Sequence, residues 1–67
     1  MGRSLYYDFK DCQCLNTTGQ LVTIPAGRYI VTELSSVTVV VGSDSLDLEK
    51  DTFDQLKEQR KVTIPLG

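Results

Sequence analysis

The two cysteines are the residues of this chain with the clearest redox or metal-binding chemistry, and they stand as Cys12-Gln13-Cys14. On a β-strand, residues two apart point to one face, so both thiols could ligate a tetrahedral zinc ion. Two ligands are missing, since the chain has no histidine and no other cysteine. Asp11 or a second copy of the chain would have to supply them. We interpret the pair as small, partly buried structural side chains and predict no metal or other cofactor.

Basic residues gather towards the end of the one predicted helix, at Lys57, Arg60 and Lys61. Together with exposed tyrosines such as Tyr6 and Tyr29, they could bind a single strand or a nucleotide by charge and stacking. The chain has 7 basic and 9 acidic residues and a net charge of −2, whereas duplex-binding domains usually carry a basic excess. Cations also suit the C-terminal end of a helix. A solvated helix end is the favoured interpretation, and nucleic acid is not the expected partner.

Catalytic chemistry finds little support in the sequence. A triad of the usual kind cannot form without histidine, and the serines at 35, 36, 43 and 45 fall in predicted turns with no obvious base. The acidic residues from Asp44 onward lack the glycine and glutamate that a calcium loop requires. A chain of 67 residues barely makes a cleft for paired carboxylates. We therefore predict that the protein is not an enzyme.

The central stretch, Arg28 to Leu48, predicts a three-stranded meander with turns at Ser35-Ser36 and Gly42-Ser43-Asp44. In the second run Val37, Val39 and Val41 share one face, because neighbouring strand side chains alternate. The first run is apolar on both faces, with Tyr29 and Val31 on one and Ile30 and Leu34 on the other. The apolar surface of this run is larger than a single sheet of this size can bury in one core.

The flanking segments add further strands and one helix. Leu5, Tyr7 and Phe9 share a face, which predicts a half-buried strand with Tyr6 exposed on the other side. Asn16 to Gly19 and Pro25 to Gly27 are predicted turns. The helix is predicted over Thr52 to Gln59, with Asp51 as its N-cap and with Phe53 and Leu56 facing the sheet. Val62 to Ile64 is predicted as the closing strand.

The sequence Val22-Thr23-Ile24-Pro25 recurs as Val62-Thr63-Ile64-Pro65, and glycine follows each copy at the second position, as Gly27 and Gly67. Such an echo could mark a duplicated strand and turn. The segment between the copies is not duplicated, and β-branched residues are common in strands. Coincidence or convergent turn chemistry is the favoured interpretation.

These elements predict one domain over residues 1–67. The expected fold is mainly β: a small antiparallel, partly open barrel or rolled sheet of five or six strands, with one short helix before the last strand. In outline it resembles SH3-like barrels, which also have a short helical turn ahead of the closing strand. The resemblance is architectural and carries no sequence motif, so it transfers no function.

We predict a non-enzymatic protein-binding module, a small accessory or inhibitor protein of the kind encoded by phages and mobile elements. It would act by occupying a partner's surface, and its two-sided apolar strand also predicts a homo-oligomer, with a dimer as the first expectation. The alternatives are a small-barrel nucleic-acid or nucleotide binder using Arg60, Lys61 and tyrosines, and a zinc-linked oligomer through Cys12 and Cys14. The longest apolar run is far shorter than the roughly 20 residues that span a bilayer, and no signal-peptide pattern is present. A cytoplasmic protein without a membrane partner is therefore expected.

Overall fold

The computed structural model describes residues 3–65 as a mainly β chain with one short helix, which confirms the predicted class. The elements are β1 (Arg3–Phe9), β2 (Cys12–Leu15), β3 (Leu21–Ile24), β4 (Gly27–Glu33), β5 (Val37–Val41), β6 (Asp44–Leu48), α1 (Lys50–Glu58) and β7 (Val62–Thr63). An antiparallel sheet has the order β6-β5-β4-β1-β7, and β2 pairs with β3 in a separate hairpin. Within residues 3–65 these sheets do not close into a barrel. No helix in this range is long and apolar enough to cross a membrane.

The predicted meander is confirmed as β4, β5 and β6, paired in antiparallel register. Val31, Val39 and Leu46 lie opposite one another across the three strands and face the core. Gly42 turns the chain between β5 and β6 at a φ of +64°, a left-handed conformation that glycine adopts without a Cβ clash. The alternation of β-branched residues thus sets the inner face of the sheet.

Strand β1 joins the meander by pairing with β4 along its whole length, from Arg3 opposite Glu33 to Phe9 opposite Gly27. Tyr7 and Phe9 are buried, as the alternation predicts. The ring of Tyr7 meets that of Phe53 edge to face, with 5.3 Å between centroids. This aromatic pair attaches the helix to the sheet.

The β2–β3 hairpin covers the inner face of the sheet with Cys12, Cys14 and Ile24. Asn16 forms its turn, because its side-chain oxygen accepts hydrogen bonds from the backbone N–H groups of Thr18 and Gln20 at 3.0 and 2.9 Å. The hairpin also meets the edge of β6, through an isolated bridge between Asn16 and Leu48. The hairpin therefore lies against the end of β6 as well as against the inner face of the sheet.

The helix begins earlier than predicted. Glu49 occupies the N-cap position, and its carbonyl accepts the Phe53 N–H at 3.1 Å, while its side chain makes no capping hydrogen bond. The predicted N-cap Asp51 is therefore wrong, and this residue lies in the first helical turn, where its charge suits the dipole. Phe53 and Leu56 are buried as predicted.

The closing strand is shorter than predicted, since β7 ends at Thr63. The two copies of the repeated sequence also differ in environment: Ile24 is 0% exposed and Ile64 is 69% exposed. The last residue of the second copy, Gly67, lies outside the described residues. In the part that is described, the copies are not structural equivalents.

Candidate protein-interaction face

Three apolar side chains form a continuous stripe on the outer face of the sheet. Tyr6 on β1 lies directly opposite Ile30 on β4, and Ile30 lies opposite Val40 on β5. Their exposed fractions are 58%, 37% and 40% respectively. We call Tyr6, Ile30 and Val40 the apolar stripe. No other element within residues 3–65 pairs with or covers this face, because the hairpin and the helix pack on the inner side.

A polar row borders the stripe on one side. It runs across the strands in register through Ser4, Thr32, Thr38 and Asp47. The hydroxyls of Ser4 and Thr32 are 2.8 Å apart, and the Thr38 hydroxyl donates to the Asp47 carboxylate at 2.8 Å. The polar groups of this row therefore already have partners within the sheet.

An ion pair borders the other side of the stripe. Arg28 and Asp8 lie opposite each other on β4 and β1, and the Arg28 Nε donates to the Asp8 carboxylate at 2.8 Å. The hydrogen bond and the charge of Asp8 raise the pKa of Arg28, so this side chain stays cationic. Both side chains remain about half exposed, so the pair contributes little to stability. Its geometric effect is to hold both charges beside the stripe without covering it.

Tyr29, a predicted binding residue, lies on the face opposite to Tyr6. It packs at the core margin, where its ring meets Phe9 with 5.5 Å between centroids, and its hydroxyl donates to the Pro25 carbonyl at 2.8 Å. The close approach of this ring also explains Gly27, since a Cβ there would lie 3.0 Å from the Tyr29 hydroxyl. Tyr6 and Tyr29 therefore do not share one surface.

The predicted basic residues form the C-terminal cap of α1. Arg60 has a φ of +60°. Its N–H donates to the Lys57 carbonyl and the N–H of Lys61 donates to the Leu56 carbonyl, both at 3.0 Å. These two bonds and the left-handed residue are a Schellman motif, with Arg60 at the position that favours glycine.

The side chain of Lys57 has partners on its own helix. Its ammonium lies 3.6 Å from the Asp54 carboxylate and 5.1 Å from the centroid of the Phe53 ring. Lys61 is half-buried, and its carbonyl accepts the Lys10 N–H at 2.8 Å. Each of these three basic residues therefore makes contacts at the end of α1. Tyr6 lies on a different face of the molecule from the helix.

Cys12 and Cys14 are free thiols that both face the core, as their spacing on a strand predicts. Burial raises the pKa of both thiols and therefore favours the neutral, unreactive form. Among residues 3–65 there is no group of three or more cysteine or acidic side chains placed to hold a metal ion. A zinc ion shared between copies would need both thiols to become accessible and deprotonated.

Comparison with known proteins adds no further assignment. No family model, no curated protein and no solved structure matches this chain.

Of the three stripe residues, only Tyr6 is predicted from the sequence as a binding residue, whereas Ile30 and Val40 are not. The signal was present, because Ile30 and Leu34 make a second apolar face on the first meander run. Alternation alone could not assign Ile30 to the outer face. The register with β1 does so, since Ile30 lies opposite the outward-facing Tyr6.

Proposed function

We propose that this chain is a non-enzymatic protein-binding module that occupies a partner's surface through the apolar stripe. The observation that carries the proposal is the alignment of Tyr6, Ile30 and Val40 on three adjacent strands, exposed and in register. Polar groups beside the stripe are already paired with each other. A partner with an apolar centre and a neutral polar rim would fit this face, because Arg28 is paired with Asp8 and the Asp47 carboxylate, which accepts from Thr38, is exposed to water.

Tyr6 is the member of the stripe with the most surface left to bury. A tyrosine buries about 150–250 Å² in total, and 58% of Tyr6 is exposed. The remaining area is on the order of 100 Å², which contributes about 2–3 kcal/mol at ~25 cal/mol per Å². Tyrosine is also enriched among the residues that dominate binding energy at interfaces. Tyr6 is therefore expected to be the anchor of the interaction.

Affinity capture with variants of the stripe tests the proposal. The test variant combines Tyr6→Ser, Ile30→Thr and Val40→Thr. These substitutions replace the apolar side chains by polar ones that an exposed strand position tolerates. The matched control combines Leu15→Ser and Leu21→Ser, because these two residues are also apolar, exposed and directly opposite each other, but on the hairpin.

The expected result is a protein from the native host that binds the parent chain and the hairpin variant and is lost with the stripe variant. Circular dichroism would show that both variants remain folded. Equal capture by all three proteins would contradict the proposal, since the stripe would then contribute nothing.

We also propose that the fold is a partly open small barrel, SH3-like in outline. Support comes from the sheet order β6-β5-β4-β1-β7, from the hairpin inserted between β1 and β4, and from the helix just before β7. The Asn16–Leu48 bridge and the hydrogen bond from Thr17 N–H to the Asp47 carbonyl, at 2.9 Å, bring the hairpin to the free edge of β6. Slow hydrogen exchange at the Thr17 amide would support this closure, and exchange at the rate of an unfolded chain would contradict it.

The two alternatives have less support. A stacking and charge site for nucleic acid would need tyrosines beside the basic residues, whereas Tyr6 and Tyr29 lie on opposite faces and Lys57 contacts Asp54. A zinc-linked oligomer would need accessible thiols, whereas Cys12 and Cys14 are buried. Salt-sensitive binding of nucleic acid would support the first alternative. An assembly that a chelator dissociates would support the second.

A further inference from the structure

In the described range 3–65, strand β1 has an incompletely paired edge. It pairs with β4 from Arg3 to Phe9, but on its other side β7 pairs only with Asp8 and Phe9. Continuing the β7 register by two residues would place Pro65 opposite Tyr6. Proline has no N–H to donate to the Tyr6 carbonyl, which explains why the ladder stops.

The direction of the backbone groups at this edge follows from one hydrogen bond. The Lys10 N–H donates to the Lys61 carbonyl on the β7 side, at 2.8 Å. Alternate residues of a strand direct their N–H and C=O groups to the same side. The backbone groups of Asp8, Tyr6 and Ser4 therefore face the β7 side, and those of Leu5 and Tyr7 face β4. Within residues 3–65, no strand pairs with Ser4 or Tyr6 on that side.

The side chain of Leu5, which lies between Ser4 and Tyr6 in β1, is also incompletely covered. Leu5 points to the inner face, opposite the fully buried Val31, yet it is 42% exposed. The neighbouring inward residue Tyr7 is buried. Among residues 3–65, the edge from Ser4 to Tyr6 thus combines backbone groups that no strand pairs with and an apolar side chain at the margin of the core, which is a template for an added strand.

We propose that the β1 edge pairs antiparallel with the β1 edge of a second copy of this chain. A two-fold axis through Leu5 would place Ser4 opposite Tyr6 of the partner subunit, and Tyr6 opposite the partner's Ser4. Four backbone hydrogen bonds would form, because all of these residues direct their backbone groups to the edge. Leu5 would meet the partner's Leu5 at a non-hydrogen-bonded position, where side chains lie closest.

A second copy is favoured as the occupant because this register is self-complementary. It uses only the residues that β7 leaves unpaired, and it is symmetric, as most homo-oligomer interfaces are. The pairing also places the two Leu5 side chains against each other, which removes apolar surface from water. It does not depend on the function proposed above, since it uses backbone groups and Leu5, whereas the stripe uses outward side chains.

Proline and alanine at one position separate the backbone contribution from the side-chain contribution. Ser4→Pro removes the edge-facing N–H without removing a bond to β4, whereas Ser4→Ala removes the same hydroxyl and keeps the N–H. Two of the four intermolecular hydrogen bonds use the Ser4 N–H, one from each copy. We expect Ser4→Pro to weaken dimerisation by about tenfold or more, measured by sedimentation across a wide concentration range. Ser4→Ala should dimerise like the parent.

Cysteine crosslinking tests the register and does not depend on the proline variant folding. Leu5→Cys would place two thiols across the axis, where Cα atoms at such a position are about 4.5 Å apart, a distance that a disulfide spans. Leu34→Cys, also exposed but located in the β4–β5 turn, is the matched control. Under air oxidation we expect a covalent dimer from Leu5→Cys and none from Leu34→Cys or from the parent, whose own thiols are buried.

The proposal would be overturned by a parent protein that stays monomeric at all concentrations, by a dimer that Ser4→Pro leaves intact, or by equal crosslinking at positions 5 and 34. Ile30→Thr combined with Val40→Thr distinguishes this interface from the stripe. That variant should weaken partner capture while it keeps the dimer, and loss of the dimer would assign self-association to the outer face instead.

Discussion

Substitution of Arg60 by glycine should make the protein more stable. Arg60 holds a φ of +60° at the end of α1, where the Schellman hydrogen bonds fix its backbone. A residue with a Cβ pays about 1 kcal/mol or more in this conformation, and glycine adopts it freely. The two ion pairs found within residues 3–65 do not involve Arg60, so little is lost with its side chain.

The expected gain in the free energy of unfolding is about 0.5–1 kcal/mol, because the relief of strain is partly offset by the greater freedom of glycine in the unfolded chain. For a domain of this length, that gain corresponds to a rise in Tm of about 2–8 °C. Thermal and urea denaturation followed by circular dichroism would measure it. The urea m-value should not change, since the buried surface is the same.

Two controls separate backbone conformation from charge. Arg60→Ala removes the same charge but keeps a Cβ, so it should give no comparable gain. Gln59→Gly places glycine one residue earlier, at a φ of −78°, where its freedom is a cost of about 0.5–1 kcal/mol. A loss of stability in Arg60→Gly, or an equal gain in Arg60→Ala, would refute the conformational explanation.

Three further outcomes follow from burial and pairing. Ile24→Ala should lower the free energy of unfolding by about 2–5 kcal/mol, because Ile24 is fully buried, and Ile64→Ala should lower it by less than about 0.5 kcal/mol. Urea denaturation would measure both changes, and equal effects would contradict the different burial of the two copies of the Val-Thr-Ile-Pro sequence. Burial and a hydrogen bond to Glu33 raise the pKa of Tyr7, so the neutral phenol stabilises the folded protein fully below about pH 10, and this stabilisation is lost as the pH rises further. The Tyr7→Phe variant should be about 1 kcal/mol less stable than the parent at pH 7, and its free energy of unfolding should fall less than that of the parent in alkali. Both cysteines of β2 should react with a thiol reagent at pH 8 far more slowly in the folded protein than in urea, and rapid labelling of the folded protein would contradict their burial.

Local periodicity predicted most of the elements but not their arrangement. Alternation identified the inner face of β5 and the outward position of Tyr6, because each depends only on neighbours along one strand. The start of α1 could not be assigned in this way, since Glu49 caps it through its backbone and Asp51 is the better N-cap by residue type. The face of β4 that becomes the outside is fixed by pairing with β1, which is information from a distant part of the chain.

Strand β1 concentrates three separable roles in seven residues. Its inward side chains, such as Tyr7, build the core; its outward side chains, such as Tyr6, carry the stripe; and its edge backbone at Ser4 and Tyr6 is left unpaired by β7. The outward residues are also those whose backbone groups face the edge. Pairing of two β1 edges would therefore bring Tyr6 and the partner's Tyr6 to diagonal positions on the same face, about 7–8 Å apart. The two stripes would then form one longer surface, so self-association and partner binding would reinforce each other without sharing a single contact.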